Sequence, residues 1–124
     1  QVVRSEHVDE VIAPGSEGEF GVLPGHTPFL TTLKVGMLSY REGTEWHHLA
    51  VEWGYAEVGP DRIVILAEGA DRAVDIDIAE ARLAKERAEK MLGEKLEEKD
   101  YEKARVELMR AMIRIQVAEK HGQK

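Results

Sequence analysis

The chain has 124 residues and no cysteine, so it forms one domain or one domain with a small appendage, without disulfides or a thiolate nucleophile. Its formal net charge of −7 argues against nucleic-acid binding, because nucleic-acid-binding domains usually present a basic face. No apolar run approaches the roughly 18 residues that a membrane-spanning helix needs, so we expect no transmembrane segment.

Composition divides the chain into two parts near Arg72–Asp75. Residues 1–74 contain 12 acidic and 5 basic residues, all four prolines and nine of the 11 glycines. Residues 75–124 contain 12 acidic and 12 basic residues and are nearly free of glycine. Such different compositions predict two architectures, a β-sandwich domain over residues 1–74 and a helical hairpin domain over residues 75–124.

Short apolar runs separated by turn residues predict antiparallel strands in the first part. The runs are Val8–Ile12, Phe20–Leu23, Phe29–Leu33, Val35–Tyr40, Trp46–Val51, Trp53–Val58 and Ile63–Ala67. The predicted turns are Pro14-Gly15, Pro24-Gly25, Glu42-Gly43-Thr44 and Gly59-Pro60-Asp61. No helical pattern supplies the crossovers that a parallel sheet requires, so we expect a sandwich or barrel.

The second part predicts two helices. Asp77 is a candidate N-cap with Glu80 three residues on, Gly93 is a candidate stop, and Asp100 is a candidate second N-cap. Apolar residues recur at helical spacing, namely Ala81, Ala84, Ala88, Met91/Leu92, Ala104, Leu108, Ala111/Met112 and Ile115. The short linker Glu94–Lys99 predicts an antiparallel hairpin, giving an α+β fold. Because alanines bury little area, we hypothesise a weakly held hairpin that swings off the sandwich.

Candidate catalytic chemistry is sparse. His47 and His48 are adjacent, so on a strand they point to opposite faces and cannot share a metal. His26 lies in a loop rich in proline and glycine, which is typical of a structural or docking loop. The glycine-rich segment at residues 15–18 lacks the lysine of a phosphate-binding loop. The sequence therefore predicts a protein with no catalytic residues and no metal site, which is not an enzyme by itself.

The second helix is locally basic in an acidic protein. Arg105, Arg110, Arg114 and Lys120 lie within residues 104–120, and Arg110 and Arg114 share a helical face. These side chains are suited to bind acidic partner residues or phosphate. A solvated helix surface explains them equally well, and the residues alone do not decide between the two.

One long run resembles a known family. The sequence Gly-Ser-Glu-Gly-Glu-Phe-Gly-Val-Leu-Pro-Gly-His-Thr-Pro at residues 15–28, continued by Phe29–Lys34, resembles the epsilon subunit of bacterial F-type ATP synthases. The resemblance continues through Trp53–Val58, Leu66–Glu68 and Asp75–Asp77 into the alanine-rich hairpin. It implies a flattened sandwich of ten strands followed by a helical hairpin. The family usually begins with an extra strand ahead of the segment that matches Val3–Val11, and we expect that strand to be absent or cut short here.

The resemblance also implies a function. It implies a non-catalytic rotor subunit of the central stalk, peripheral to the membrane at the cytoplasmic face of the bacterial plasma membrane. His26 and Thr31 would contact the gamma subunit, and Glu19 would contact the c-ring. The hairpin would extend toward the beta (and alpha) subunits and inhibit ATP hydrolysis. Its basic side chains Arg105, Arg110 and Arg114 would then meet an acidic segment of beta.

Some bacterial members of this family also bind ATP at the retracted hairpin, which gives an alternative function as a nucleotide-sensing module. Their motif is Ile/Leu-Asp-x-x-Arg-Ala, and the matching stretch here has Glu80 at the arginine position. Asp77, Arg110 and Arg114 match the rest of the site. Since Glu80 would repel phosphate, we expect weak or no binding of ATP as a regulatory ligand and no other cofactor.

Overall fold

The computed structural model describes residues 7–121. The first part of this range holds six strands, β1 (Glu10–Gly15), β2 (Gly18–Val22), β3 (Phe29–Leu33), β4 (Gly36–Glu42), β5 (Glu45–Val58) and β6 (Ile63–Arg72). A short 3-10 helix (Ala73–Asp75) leads into α1 (Ile78–Leu92) and α2 (Glu98–Glu119). The α+β prediction, an antiparallel β-sandwich followed by a helical hairpin, is confirmed. Within the described range, neither helix combines the length and apolar character needed to cross a bilayer.

The sheet is antiparallel throughout and is organised around β5. The first half of β5 pairs with β4, from Glu42 opposite Glu45 to Gly36 opposite Val51. Its second half pairs with β3, and β6 lies along the other side of both halves. β1 contacts both β4 and β3 and carries β2 at its outer edge. Strands β3 and β4 therefore act as two segments of one bent strand, and β5 bends beside them.

The bend in β5 lies at Trp53 and Gly54, whose φ angles are 29° and 158°. Before the bend the odd-numbered residues Leu49 and Val51 enter the core, whereas after it the even-numbered Ala56 and Val58 do. A Cβ on Gly54 would lie 1.8 Å from the carbonyl oxygen of Leu66, so only glycine permits this approach to β6. Strands that turn a corner in this way pass from one layer of a sandwich to the other.

The bend corrects two expectations about strand number. The predicted strands Trp46–Val51 and Trp53–Val58 are one strand of 14 residues, because the change of alternation marks a bend rather than an end. The described range accordingly has six strands and not the ten that the resemblance implies.

The predicted turn at Pro14-Gly15 is also wrong, since both residues belong to β1 and pair with β2. The extra N-terminal strand concerns residues outside the described range.

One apolar core fills the sandwich. Its buried members come from five strands, and Phe20, Phe29 and Tyr40 pack around them. They are Val11, Ala13, Val22, Leu33, Leu38, Leu49, Val51, Ala56 and Val58. Burial raises the pKa of Tyr40, with the nearby Glu42 acting in the same direction. This core makes the sheet the rigid part on which the other elements rest.

Two of the three predicted helix ends are correct. Asp77 caps α1 by accepting a hydrogen bond from the Glu80 backbone amide at 3.1 Å, and Gly93 follows its last residue. The prediction that Asp100 caps α2 is wrong, because the helix begins at Glu98 after Glu97. Asp100 instead lies in the first turn, where the helix dipole favours a carboxylate without any capping hydrogen bond.

The bend gives a direct test of the fold. We expect Gly54→Ala to lower the free energy of unfolding by about 3 kcal/mol, because the new methyl group meets the β6 backbone. Gly59→Ala is the matched control, since a Cβ there would meet its nearest atom at an ordinary 3.5 Å. Urea unfolding followed by circular dichroism measures both. Equal losses for the two variants would contradict the proposed close approach.

Candidate functional site

The hairpin rests on the sheet through the C-terminal half of α2. Val117 is fully buried and packs with Ala50 of β5 and Ala73 of the 3-10 helix. Met37, Ile76 and Ile113 surround these three residues and are only partly buried. This apolar contact, which we call the seat, is small compared with the core of the sandwich.

Two arginines join α2 to the sheet beside the seat. Arg110 forms an ion pair with Glu52 of β5, and its guanidinium group lies 5.3 Å from the centroid of the Trp53 ring. Arg114 Nη1 donates to Asp71 Oδ2 of β6 at 3.0 Å. The four-residue spacing of the arginines places both on one face of α2. That face meets two carboxylates on neighbouring strands.

Arg105 is separate from this pair. It is exposed, and its guanidinium group bonds to Glu102 of the same helix at 3.2 Å. The hydrogen bond that Arg105 donates to Glu102 raises the pKa of Arg105. The structure therefore brings together Arg110 and Arg114 of the three predicted arginines and leaves Arg105 on the free side of the hairpin.

A cavity of about 440 Å³ lies between the two helices and the sheet. The acidic residues among the described lining are Glu52, Asp71, Glu80 and Glu107. The basic residues among them are Arg87, Arg110 and Arg114. Asp77 caps α1 and is not part of the lining. Because carboxylates outnumber guanidinium groups, the cavity provides no excess of positive charge for a triphosphate.

Five polar or aromatic members of this site are absent from the sequence prediction, namely Glu52, Trp53, Asp71, Arg87 and Glu107. Glu52 and Asp71 are ordinary strand residues whose helical partners lie more than 40 positions along the chain. Arg87 belongs to the run of charges on α1 that the sequence assigns to a solvated surface. Helical periodicity places Arg87 one turn beyond Ala84 on the cavity side, and this was the one signal that could have identified it.

The residues predicted to contact other subunits lie on β2, on β3 and in the loop between these strands. Glu19 is exposed on β2, and its neighbour Phe20 makes an edge contact with Phe29 at 5.3 Å between ring centroids. His26 is exposed in the loop before β3, and its ring lies 5.2 Å from that of Phe29. Phe29 thus connects the strand of Glu19 to the loop of His26.

Thr31 does not point outward with its neighbours. It lies on β3 opposite the fully buried Ala56, so it belongs to the inner face of the sheet and is half-buried. The adjacent Leu30 and Thr32 occupy the outer face.

That outer face carries exposed apolar side chains together with Thr32 and Glu57. Leu30 of β3, Tyr55 of β5 and Leu66 of β6 expose 68%, 46% and 51% of their surface. Tyr55 pairs with Leu66 on one side and with Thr32 on the other, so the three apolar side chains share a face. We call this surface the outer apolar face. Neighbouring apolar side chains on an exposed sheet are typical of protein–protein contact sites.

Other candidate groups have local partners. His48 is buried and its Nδ1 lies 2.7 Å from Ser39 Oγ, while His47 Nε2 lies 2.9 Å from a Glu42 carboxylate oxygen. Between residues 7 and 121, no three histidine or carboxylate side chains come together in a way that would hold a metal ion.

Two family models match the chain. The model described as the β-sandwich domain of the ATP synthase delta/epsilon chain matches residues 1–73, and that of its long α-helix domain matches residues 75–119. The chain belongs to the ATP synthase delta/epsilon family.

Individual relatives agree. The chain is 54% identical over 121 residues to ATP synthase epsilon chain 2 of Syntrophotalea carbinolica, covering 97% of this chain and 88% of that protein. It is 50% identical over 123 residues to the ATP synthase epsilon chain of Geobacter metallireducens, covering 98% and 89%. These proteins are relatives over almost their whole length.

Two solved structures share the fold. A chain in a Euglena gracilis mitochondrial ATP synthase structure of OSCP, F1 and c-ring superposes with a TM-score of 0.69 at 23% identity, covering 95% of this chain and 70% of that one. A chain in a Tetrahymena thermophila mitochondrial ATP synthase structure of the central stalk and c-ring gives 0.54 at 16% identity, covering 94% and 84%.

The small size of the seat leads to a prediction about how strongly α2 docks on the sheet. We expect Val117→Ala to weaken docking of α2 by about 2 kcal/mol, because it leaves a cavity beneath the helix. Amide hydrogen exchange should then accelerate over residues 110–120. Val74→Ala, at a position 59% exposed, is the matched control and should leave exchange unchanged. The prediction fails if the two variants exchange alike.

Proposed function

We propose that this chain is a non-catalytic subunit of the central stalk of a bacterial F-type ATP synthase, where it connects the gamma subunit to the c-ring. The observation that carries the proposal is the alignment with proteins named ATP synthase epsilon chain, which are 50% and 54% identical to this chain over 88–89% of their own length. Solved assemblies that contain the central stalk or the c-ring hold chains of the same fold, which supports this position.

The gamma subunit binds the outer apolar face and the loop of His26 in this proposal. Leu30, Tyr55 and Leu66 supply apolar contact area on a rigid sheet, and Thr31 supports that face from within β3. Tyrosine is among the residues that most often contribute a large share of the binding energy at protein interfaces, and the two leucines beside it add apolar area.

The acidic β-hairpin formed by β1 and β2 contacts the c-ring. Glu17 and Glu19 are both exposed there, and Thr32 Oγ1 donates to Ser16 Oγ at 2.6 Å, which joins the tip of this β-hairpin to β3. A fixed acidic tip is suited to dock polar loops. The subunit then lies at the cytoplasmic face of the bacterial plasma membrane, peripheral to it.

The helical hairpin regulates ATP hydrolysis. In its extended position it reaches the beta and alpha subunits, where Arg105, Arg110 and Arg114 contact an acidic segment of beta. The small seat supports this role, because little buried apolar area must be exposed when α2 leaves the sheet.

Nucleotide sensing is the second candidate, and the cavity beside Arg110 and Arg114 is the observation in its favour. Its four carboxylates, with Glu80 among them, oppose a triphosphate. We therefore place regulation in protein–protein contacts of the hairpin and not in ATP capture.

The gamma contact can be tested by co-elution with the cognate gamma subunit on a sizing column. We expect the native chain to form a one-to-one complex at moderate salt. Leu30→Lys and Leu66→Lys should each weaken it about 30-fold, because a charge would be buried at an apolar interface. Leu83→Lys, at a position on α1 that is 56% exposed, is the control and should bind normally. Binding that is insensitive to all three substitutions would contradict the assignment of this face.

Isothermal calorimetry tests nucleotide binding. We expect no micromolar affinity for ATP in the native chain. Glu80→Arg should raise the affinity at least about tenfold, since it removes one carboxylate from the cavity and adds a guanidinium group. Glu86→Arg, on the same helix but away from the cavity lining, should have no effect. Micromolar binding by the native chain would favour the nucleotide-sensing function.

A further inference from the structure

The two arginines that would act on a partner are already occupied within the chain. Arg110 is paired with Glu52 and covers Trp53, and Arg114 donates to Asp71. Both carboxylates belong to the sheet, whereas both guanidinium groups belong to the hairpin. Each pair therefore exists only while the hairpin is down.

We propose that Glu52 and Asp71 form an acidic latch that retains the hairpin, and that an acidic partner surface releases it by competing for Arg110 and Arg114. The identity of that partner surface, an acidic segment of the beta subunit, rests on the proposed function. The latch itself is a property of the isolated chain and is tested separately.

Geometry sets these two pairs apart from the other arginine pair of α2. Arg105 bonds to Glu102, three residues earlier on the same helix, so this contact moves with the hairpin and is indifferent to its position. The latch pairs join residues 43 or more positions apart, across the interface that opens. Among the ion pairs that α2 forms within residues 7–121, the latch pairs are the ones that join the hairpin to the sheet.

The two arginines can make the same kind of contact with a partner that they make with the sheet. A guanidinium group binds carboxylates through the same fork of N–H donors whether they belong to the sheet or to a partner. A hairpin that leaves Glu52 and Asp71 for another pair of carboxylates therefore loses and regains the same contacts. A neutral or basic surface offers no such replacement, so the latch also selects the charge of the partner.

The latch matters because the apolar seat is small. One fully buried valine and two alanines hold α2, with three partly buried side chains around them, so the charged pairs are a large share of what remains. An exposed or half-exposed ion pair changes an equilibrium by up to a few-fold, and two together give about tenfold. Such a bias is large enough to keep the hairpin down and small enough for a partner to reverse.

The isolated chain tests the latch through Trp53, which lies beneath Arg110. In a Trp46→Phe background Trp53 is the single tryptophan, and its quenching by acrylamide reports whether α2 covers it. We expect the double variant Glu52→Gln with Asp71→Asn to increase quenching and to accelerate amide exchange over residues 110–120 about tenfold. Helical circular dichroism should be unchanged, because the hairpin moves without unfolding.

Two controls isolate the charge effect. Glu102→Gln removes the partner of Arg105 and should change neither quenching nor exchange. The exchanged pair Asp71→Arg with Arg114→Asp should retain α2 better than either single change does, because the ion pair is restored in reverse. Raising salt from about 0.05 to 0.5 M should release the hairpin of the native chain and have little further effect on the double variant. Unchanged quenching and exchange in the double variant would overturn the latch.

The assembled enzyme tests the competition. In ATP hydrolysis by the complex, Glu52→Gln with Asp71→Asn should increase inhibition, since it frees both arginines and leaves them intact. Arg110→Gln with Arg114→Gln should decrease inhibition, although it also releases the hairpin. If Glu52→Gln with Asp71→Asn releases the hairpin in the isolated chain but leaves ATP hydrolysis unchanged, the competition by the partner and the inhibitory role are overturned. The latch itself then stands. If both variants affect hydrolysis equally, competition for the arginines is overturned.

Discussion

The close approach of Gly54 to the backbone of Leu66 is the constraint on which the molecule depends. It lets β5 bend without leaving either of its neighbours, and the bend reverses which residues enter the core. The first half of β5 consequently turns Ala50 and Glu52 toward the hairpin. The second half turns Tyr55 toward the outer apolar face. One strand thus supplies both surfaces on which the proposed function relies.

The two helices of the hairpin pack more closely against each other than against the sheet. Alanines on both helices are buried, and they let α1 and α2 pack closely; these are Ala81, Ala88, Ala104 and Ala111. The contact with the sheet has Val117 as its one fully buried member among the described residues. Because internal packing is apolar and docking is partly ionic, the two helices are suited to move together as one body.

Sequence reasoning reached the architecture because its signals are local. Turn residues, the Asp77 cap and helical periodicity each act over a few positions, and the α+β fold follows from them. The same reasoning divided β5 at Glu52, since a change in alternation resembles a strand end when the φ angles are unknown. It also grouped Arg105 with Arg110 and Arg114. The carboxylates that distinguish Arg110 and Arg114 from Arg105 lie on strands that are distant in the sequence. Contacts over long sequence distance leave no local pattern.

The position of Glu52 and Tyr55 on one strand has a thermodynamic consequence. They lie three residues apart, on either side of the bend, and they face the hairpin and the outer surface respectively. Any ligand of the outer surface that favours one bend angle changes the hairpin equilibrium, and release of the hairpin changes the affinity for that ligand by the same factor. The stiffness of the bend at Gly54 therefore determines how strongly binding at the outer apolar face is coupled to the position of the hairpin.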